Sequence, residues 1–177
     1  MLDGHGPTVA LTRGGERAHR LWIDRDMWLP YLDILKLNLE EAGCSWFPPG
    51  SAESTTAAEP LTVDDLPRFA EHCLARGVQS LCVTLDERGC AVYYKDDAGV
   101  VREERADRLP VDRVVDTTGC GDSFAAGMAF GYLHTHDYVQ AAWYGNAMGA
   151  QRAASRELAG YRSLAETDRQ LAEAYRA

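Results

Sequence analysis

Two apolar runs, DILKLN at 33–38 and SLCVTL at 80–85, place the strongest constraint on the fold of this chain. Each run has the length of a strand and is rich in apolar side chains, which is typical of strands that are buried in a sheet. Between them, over residues 66–74, apolar side chains recur at i, i+3, i+4, i+7 and i+8, which predicts an amphipathic helix. Strands that alternate with helices predict an α/β fold in which helices cover the sheet.

The remaining sequence predicts further short elements. We expect strands within TVALTR and HRLWI near the start, at CAVYYK (90–95) and VVREE (100–104), and at RVV (113–115). Helices are expected over 120–134, 137–155 and 163–176, and Gly43 should end a helix of one or two turns that follows DILKLN. Residues 45–60 are rich in Pro, Ser, Thr and Ala, and we expect them to form an exposed loop.

Composition narrows the class of protein and its partners. The chain has 177 residues, enough for one domain, and a formal net charge of −9. Binding to nucleic acid or to an anionic membrane is therefore not expected, because the electrostatic contribution would be repulsive. No apolar run reaches the roughly 18 residues of a membrane-spanning helix, and the first residues lack the pattern of a signal peptide. The five scattered cysteines fit reduced thiols, so we expect a cytoplasmic protein.

The stretch DTTGCGD at 116–122 carries the clearest chemical signal. Gly119 and Gly121 permit unusual backbone angles and are expected to leave the amides of residues 119–122 uncovered at the start of a helix. Such a helix N-terminus suits a phosphate, and Asp122 in the first turn can accept a proton from a nearby hydroxyl. The same spacing also arises from helix capping alone, and local spacing leaves both interpretations open. The stretch is not a P-loop, because no Lys-Ser or Lys-Thr follows the glycines. It is not a G-x-G-x-x-G fingerprint either, because Phe124 stands where the third glycine belongs.

The longer stretch DTTGCGDSFAAGMAFGYL closely resembles the D-T-T-G-A-G-D signature of the PfkB (ribokinase-like) family of sugar and nucleoside kinases, with Cys120 in place of the usual alanine. The resemblance implies a ribokinase-like three-layer α/β/α fold. It also implies that Asp122 is the catalytic base, and that the amides of Gly119, Cys120 and Gly121 form the anion hole for the transferred phosphoryl group. Thr117 would lie near the nucleotide phosphates.

Two further stretches resemble elements of the same family in the expected order. LKLNLEEA resembles its N-x-x-E element, which implies that Asn38 and Glu41 act around the magnesium ion, Glu41 through water. VTLDERG resembles V-T-x-G-x-x-G, which implies that Thr84 and Gly89 lie against the nucleotide. Asp86 departs from this pattern, since it replaces the first glycine and would bring an acid toward the phosphates.

A third stretch, WYGNAMGAQ, resembles the A-N-A-A-G-A segment beside the adenine. The resemblance implies that Asn146 and Gly149 shape the adenine pocket. Close packing of a helix rich in small residues explains the same stretch equally well, so both interpretations stay open here.

Taken together, the resemblance implies an ATP-dependent phosphotransferase that uses Mg²⁺ to phosphorylate a hydroxyl of a small-molecule sugar or nucleoside. It covers only the later part of the family fold, so we expect residues 1–177 to form a single partial kinase domain without the N-terminal strands and β-lid. The alternative is a non-catalytic nucleotide-binding or regulatory module derived from such a kinase. A parallel sheet without its early strands exposes an apolar edge, which predicts self-association, for example as a homodimer.

Overall fold

Five strands form the main sheet of the computed structural model, which describes residues 1–12, 14–46, 61–157 and 160–175. The strands of the chain are β1 (Leu2–Asp3), β2 (Val9–Leu11), β3 (Arg17–His19), β4 (Ile34–Asn38), β5 (Ser80–Thr84), β6 (Cys90–Lys95) and β7 (Val101–Ala106). The main sheet has the order β1-β4-β5-β6-β7, and β2 and β3 form a separate antiparallel pair. Strands β1, β4 and β5 run parallel, with Leu2 opposite Leu35 and Ile34 opposite Ser80.

Seven helices lie in the described part of the chain. They are α1 (His5–Thr8), α2 (Arg25–Trp28), α3 (Leu39–Ser45), α4 (Leu66–Ala75), α5 (Cys120–Thr135), α6 (Tyr138–Ala154) and α7 (Leu164–Tyr175). Short 3₁₀ turns occupy Leu29–Tyr31, Val63–Asp65 and Asp86–Arg88. Among the described residues, no helix combines the length and apolarity that crossing a membrane requires. The predicted α/β class is confirmed, as are the buried strands at DILKLN and SLCVTL.

Three local predictions differ from the structure. The segment RVV at 113–115 is not a strand, because the amide of Val115 donates to the carbonyl of Ala153 at the end of α6 (2.7 Å) instead of joining the sheet. Gly43 does not end α3, which continues to Ser45, whose hydroxyl donates to the Glu41 carbonyl (2.7 Å). In the HRLWI segment only His19 belongs to a strand.

The predicted loop at 45–60 falls mostly outside the described residues. Ser45 is buried in the last turn of α3, and Trp46 follows it as the C-cap. Residues 47–60 lie outside the described part of the chain. The loop prediction therefore fails at its first residue, and over 47–60 it stays a prediction.

The chain divides into two compact units. The first consists of Met1–Leu85 and Tyr93–Glu103, and the second of Asp86–Val92 and Glu104–Ala177. The first unit buries the apolar side chains of β4, β5 and α4, such as Leu35, Leu81 and Phe69, each with no exposed surface. The second unit buries Met128 of α5 in the same way, and Leu109 and Leu171 belong to a further buried cluster.

Glycines bring α5 and α6 into close contact within the second unit. A Cβ on Gly127 would lie 2.5 Å from the carbonyl oxygen of Tyr144, and one on Gly131 would lie 2.9 Å from the Cα of Ala141. On the facing helix, a Cβ on Gly145 would lie 2.9 Å from the Phe124 ring. These distances are shorter than real Cβ contacts, so the two helix backbones can approach this closely only without side chains at these positions.

We expect Gly127→Ala to lower the free energy of unfolding by about 1–3 kcal/mol, since the added methyl group overpacks the contact between α5 and α6. Gly149→Ala on α6 is the matched control, because its Cβ would lie 3.5 Å from the nearest atom, an ordinary contact. The control is expected to change stability little, or to raise it by up to about 1 kcal/mol through helix propensity. Urea unfolding measures both variants, and equal midpoints would contradict the predicted backbone contact.

Candidate functional site

A left-handed glycine begins α5. Gly119 is the N-cap residue with φ of 80°, a conformation that side chains rarely adopt. Before it, the carboxylate of Asp116 accepts a hydrogen bond from the Thr118 amide (3.0 Å), which folds DTT into a tight turn. The first helical hydrogen bond then runs from the Ser123 amide to the Gly119 carbonyl (2.9 Å). The sequence DTTGCGD thus forms a turn, a left-handed residue and a helix start within seven positions.

The amides at this helix start are not all equivalent. The N–H of Cys120 donates to the carbonyl of Thr117 (3.1 Å), so the prediction that all amides of residues 119–122 are uncovered is wrong for Cys120. The N–H groups of Gly119, Gly121 and Asp122 donate to no acceptor among the residues that the structure describes. Three uncommitted donors therefore lie at the positive end of the α5 dipole.

Asp122 lies in the first turn of α5, and its residue is exposed. No hydrogen bond to its carboxylate is formed by other described residues, so the carboxylate is open to a molecule from solution. Thr117 is exposed as well, and its carbonyl is the acceptor for Cys120. The neighbouring Ser123 hydroxyl is paired with the hydroxyl of Tyr161 (2.7 Å), which fixes this side of the turn.

Two arginines near the end of α6 face the DTT turn. The Nε of Arg156 lies 3.1 Å from a carboxylate oxygen of Asp116, and the Nη2 of Arg152 lies 4.0 Å from the same oxygen. The Thr118 backbone amide, together with the Thr118 side chain and the charges of Arg156 and Arg152, holds the pKa of Asp116 below its ordinary value. Asp116 therefore carries its negative charge between two guanidinium groups.

Residues of α6 line the start of α5. A Cβ on Gly149 would lie 3.5 Å from the carbonyl oxygen of Cys120, and a Cβ on Gly119 would lie 3.5 Å from the Nε of Arg152. Gly149 thus lies beside the helix start that the sequence identified. Arg152 was not predicted as a site residue, although its position one helical turn beyond Gly149 is a signal that could have indicated it.

Two other predicted nucleotide residues lie at a different place in the second unit. A Cβ on Gly89 would lie 2.0 Å from the carbonyl oxygen of Ala106, so the backbone there requires glycine. The side-chain amide of Asn146 is buried and lies 3.2 and 3.1 Å from the carbonyls of Ala106 and Asp107, and 3.0 Å from the hydroxyl of Tyr175. Gly89 and Asn146 therefore converge on the backbone that follows β7, with their polar contacts directed into the protein.

Asp86 adopts the backbone conformation that glycine favours. It has φ of 53°, and the Gly89 amide donates to its carbonyl (3.2 Å) across a 3₁₀ turn. Aspartate is one of the few non-glycine residues that tolerate this region. The residue that departs from V-T-x-G-x-x-G thus keeps a left-handed turn at that position.

The predicted metal residues lie together at the carboxyl ends of β4 and β5 in the first unit. Asn38 and Thr84 are opposite each other in the parallel register. Asn38 and Glu41 form a reciprocal capping box on α3: the Glu41 amide donates to the Asn38 side chain (2.7 Å), and the Asn38 amide donates to the Glu41 carboxylate (2.8 Å). Glu41 is 2% exposed, and the Nδ1 of His5 lies 3.5 Å from its other carboxylate oxygen.

Glu41 offers a carboxylate and Asn38 an amide oxygen, which are the kinds of donor that Mg²⁺ prefers. In the described ranges, no group of three or more His, Cys, Asp and Glu side chains could hold a metal ion. Mg²⁺ retains several water molecules and needs few protein ligands, so one buried carboxylate and one amide oxygen fit it through water.

A cavity in the second unit is lined by none of the predicted site residues. This cavity of about 230 Å³ is lined by His134, Thr135, Trp143, Tyr144, Asp168 and Leu171. The start of α5 is instead an open surface, on which the exposed Asp122 and Thr117 lie.

The family of pfkB carbohydrate kinases matches residues 22–161, and the chain belongs to this family. Over 106 residues it is 38% identical to 2-dehydro-3-deoxygluconokinase of Bacillus subtilis, which covers 59% of this chain and 30% of that protein. An uncharacterized sugar kinase of Archaeoglobus fulgidus is 35% identical over 94 residues, which is 52% of this chain and 35% of that protein. The chain therefore spans about a third of the length of these curated relatives.

Solved structures confirm the ribokinase-like fold. The ribokinase of Arabidopsis thaliana complexed with ribose and ATP superposes with a TM-score of 0.64 at 20% identity, over 82% of this chain and 43% of that one. A nucleoside kinase of Burkholderia thailandensis in complex with inosine gives a TM-score of 0.63 at 24% identity, over 88% and 44%. At these identities the likeness concerns the fold alone.

We expect Asp116→Asn to reduce the pH dependence of stability in acid. Because the pKa of folded Asp116 lies below its ordinary value of 3.8, its contribution is present above that pH and is lost as the pH falls through the folded pKa. The variant should be less stable than the wild type at pH 7, and the difference should shrink below about pH 4. Thermal melts from pH 7 to pH 2 measure it, with Asp112→Asn as the exposed control. A difference that stays constant across this range would contradict the paired role of Asp116.

Proposed function

We propose that this chain carries the phosphoryl-transfer site of an ATP-dependent kinase that phosphorylates a hydroxyl of a sugar or nucleoside. The observation that carries the proposal is the start of α5, where left-handed Gly119 precedes a helix with uncommitted amides and Asp122 lies exposed in the first turn. Phosphoryl transfer requires mainly positioning and stabilisation of charge, and a helix start with a carboxylate supplies both.

The proposed anion hole consists of backbone donors. The N–H groups of Gly119 and Gly121 would donate to the oxygens of the transferred phosphoryl group, and the Asp122 amide can add a third hydrogen bond. The Cys120 amide, which the family pattern also implies, would first have to release the Thr117 carbonyl. Since these donors are fixed by the turn before α5, little reorganisation is needed when the negative charge arrives.

Asp122 is the proposed general base. A substrate hydroxyl placed beside its exposed carboxylate would transfer its proton to a carboxylate oxygen while the hydroxyl oxygen attacks the γ-phosphorus. The bond between the γ-phosphorus and the bridging oxygen breaks, and ADP leaves with the electron pair. The products are then the phosphate ester, ADP and protonated Asp122, which returns its proton to water.

In the second unit, the nucleotide is proposed to lie beside the start of α5. Thr117 would contact its phosphates, and Gly149 would let the adenine approach because it has no side chain. The contact of Thr84 with the nucleotide stays an expectation from the family resemblance. Gly89 and Asn146 would contribute indirectly, because both hold the backbone after β7 in place. This assigns Asn146 a positioning role, since its side-chain amide is already engaged within the protein.

Asn38 and Glu41 are the residues that would hold magnesium, through bound water. When bound, the ion would neutralise charge on the nucleotide phosphates. The capping box keeps the Glu41 carboxylate at the start of α3, at the carboxyl end of β4.

Partners follow from the same proposal. The substrate class is a small polyhydroxylated molecule, and the relatives named above suggest sugar acids and nucleosides as the first compounds to test. We also propose self-association through the main sheet, because β1 is an end strand of that sheet among the described residues.

We expect Asp122→Asn to lower the rate of phosphorylation by about 10²–10⁴-fold, because asparagine cannot accept the proton. Its exposed side chain makes no contact that the fold needs, so the melting temperature should stay close to that of the wild type. The assay measures ADP release and product from Mg-ATP with ribose, fructose, adenosine, inosine, ketodeoxygluconate and myo-inositol. Glu157→Gln, at an exposed position in the same unit, is the control for loss of one acidic charge.

Two results would revise the proposal. Full activity in Asp122→Asn would remove Asp122 as the base. Binding of ATP without phosphorylation of any substrate in the panel would favour the alternative, a nucleotide-binding or regulatory module.

We expect Glu41→Gln to separate the metal role of Glu41 from its capping role. Glutamine at the third helical position still accepts the Asn38 amide, so stability should change by less than about 1 kcal/mol. The magnesium concentration for half-maximal ATP binding should rise about tenfold or more, because the charge that attracts the ion is lost. Titration of ATP binding with Mg²⁺ measures this, and Glu40→Gln, in the same turn with 77% of its side chain exposed, is the matched control. An unchanged magnesium requirement in Glu41→Gln would count against a metal role.

A further inference from the structure

We propose that the Arg152 side chain binds the phosphate chain at the start of α5, together with the backbone donors of that site. This inference rests on the proposed function, since it concerns the same anion site. It assigns a charged side chain to a site that the sequence motif describes through glycine amides and Asp122 alone.

The first reason is the placement of the guanidinium group. The Nε of Arg152 would lie only 3.5 Å from a Cβ at position 119, so its N–H edge lies next to the uncommitted amides of the helix start. Its Nη1 donates to the Ser155 carbonyl (2.7 Å), which holds the side chain across the end of α6. The side chain is 18% exposed, so it is positioned by the protein while one edge still meets solvent.

The second reason is that Arg152 keeps an unused donor. A guanidinium has five N–H donors in a rigid fork. Within the described residues, Nη1 bonds Ser155, Nη2 lies at ion-pair distance from Asp116, and Nε donates to no acceptor. The hydrogen bond to Ser155 shows that Arg152 caps the end of α6. This capping role does not explain why the Nε of Arg152 lies beside Gly119.

The third reason is the balance of charge. Asp116 lies 3.1 Å from Arg156 and 4.0 Å from Arg152, so its closer partner is Arg156. These three side chains together carry one net positive charge next to the positive end of the α5 dipole, and the Asp122 carboxylate in the first turn of α5 offsets it. In a chain with a formal net charge of −9, this place is therefore close to neutral instead of acidic, which lowers the repulsion that an anion meets there.

The phosphate chain is the ligand that fits these features. Arginine binds phosphate through parallel hydrogen bonds that a lysine cannot reproduce. The absence of a side chain at Gly119 leaves the gap between the amides and the guanidinium open to phosphate oxygens. A polyphosphate could therefore contact the α5 amides and Arg152 at the same time.

The test is isothermal titration calorimetry on the full chain, which measures the Kd for inorganic tripolyphosphate as the probe and for ATP as a second ligand. We expect Arg152→Gln to raise the Kd for tripolyphosphate about 10- to 100-fold, and Arg152→Lys to give an intermediate Kd because it keeps the charge and loses the fork. Arg169→Gln on α7, an exposed position, removes the same charge elsewhere in the unit and should leave the Kd close to the wild-type value. Thermal melts show that each variant is folded.

The outcomes separate this inference from the proposed function. If Arg152→Gln binds tripolyphosphate as the wild type does, or if the wild type does not bind it, the inference is overturned. A lowered melting temperature in Arg152→Gln with an unchanged Kd in both Arg152 variants would assign Arg152 a purely structural role. Loss of binding in Arg152→Gln supports the inference even if the wild type phosphorylates no substrate, a result that would count against the proposed kinase activity alone.

Discussion

The contact between the backbones of α5 and α6 is the interaction on which the candidate site depends. Gly127 and Gly131 on α5 and Gly145 on α6 allow the two helices to approach without intervening side chains. This contact sets the position of the next turns of α6, and therefore of Gly149 and Arg152, beside the first turn of α5. A wider separation would keep the DTTGCGD turn intact locally, but it would move the guanidinium away from the helix start.

The fold was predictable from the sequence where burial and periodicity agree. The runs DILKLN and SLCVTL became β4 and β5 because the apolar side chains of each run point to both faces of the strand and are buried there. The prediction of a strand at RVV was wrong for a tertiary reason, because the Val115 amide donates to a carbonyl at the end of α6. The prediction that Gly43 ends α3 was wrong because Gly43 does not adopt the left-handed conformation of a C-cap glycine, and the helix continues to Ser45.

The candidate site was predictable only in part. The motif located the helix start, but the commitment of the Cys120 amide to Thr117 depends on the turn geometry and has no sequence signal. Asn146 was ambiguous between packing and binding, and its buried contacts with the Ala106 and Asp107 carbonyls support packing. The sequence did not predict Arg152 as a site residue, because basic residues are common near helix ends. Only the distance between its guanidinium group and Gly119 distinguishes it.

Asp86 shows how a motif can persist without its usual residue. The position keeps a left-handed backbone, with φ of 53°, although it carries an acidic side chain. A search that scores residue identity counts this position as a mismatch, whereas a comparison of backbone angles counts it as a match. Because Asp86 already holds a left-handed backbone, a glycine at this position would fit the turn without any rearrangement.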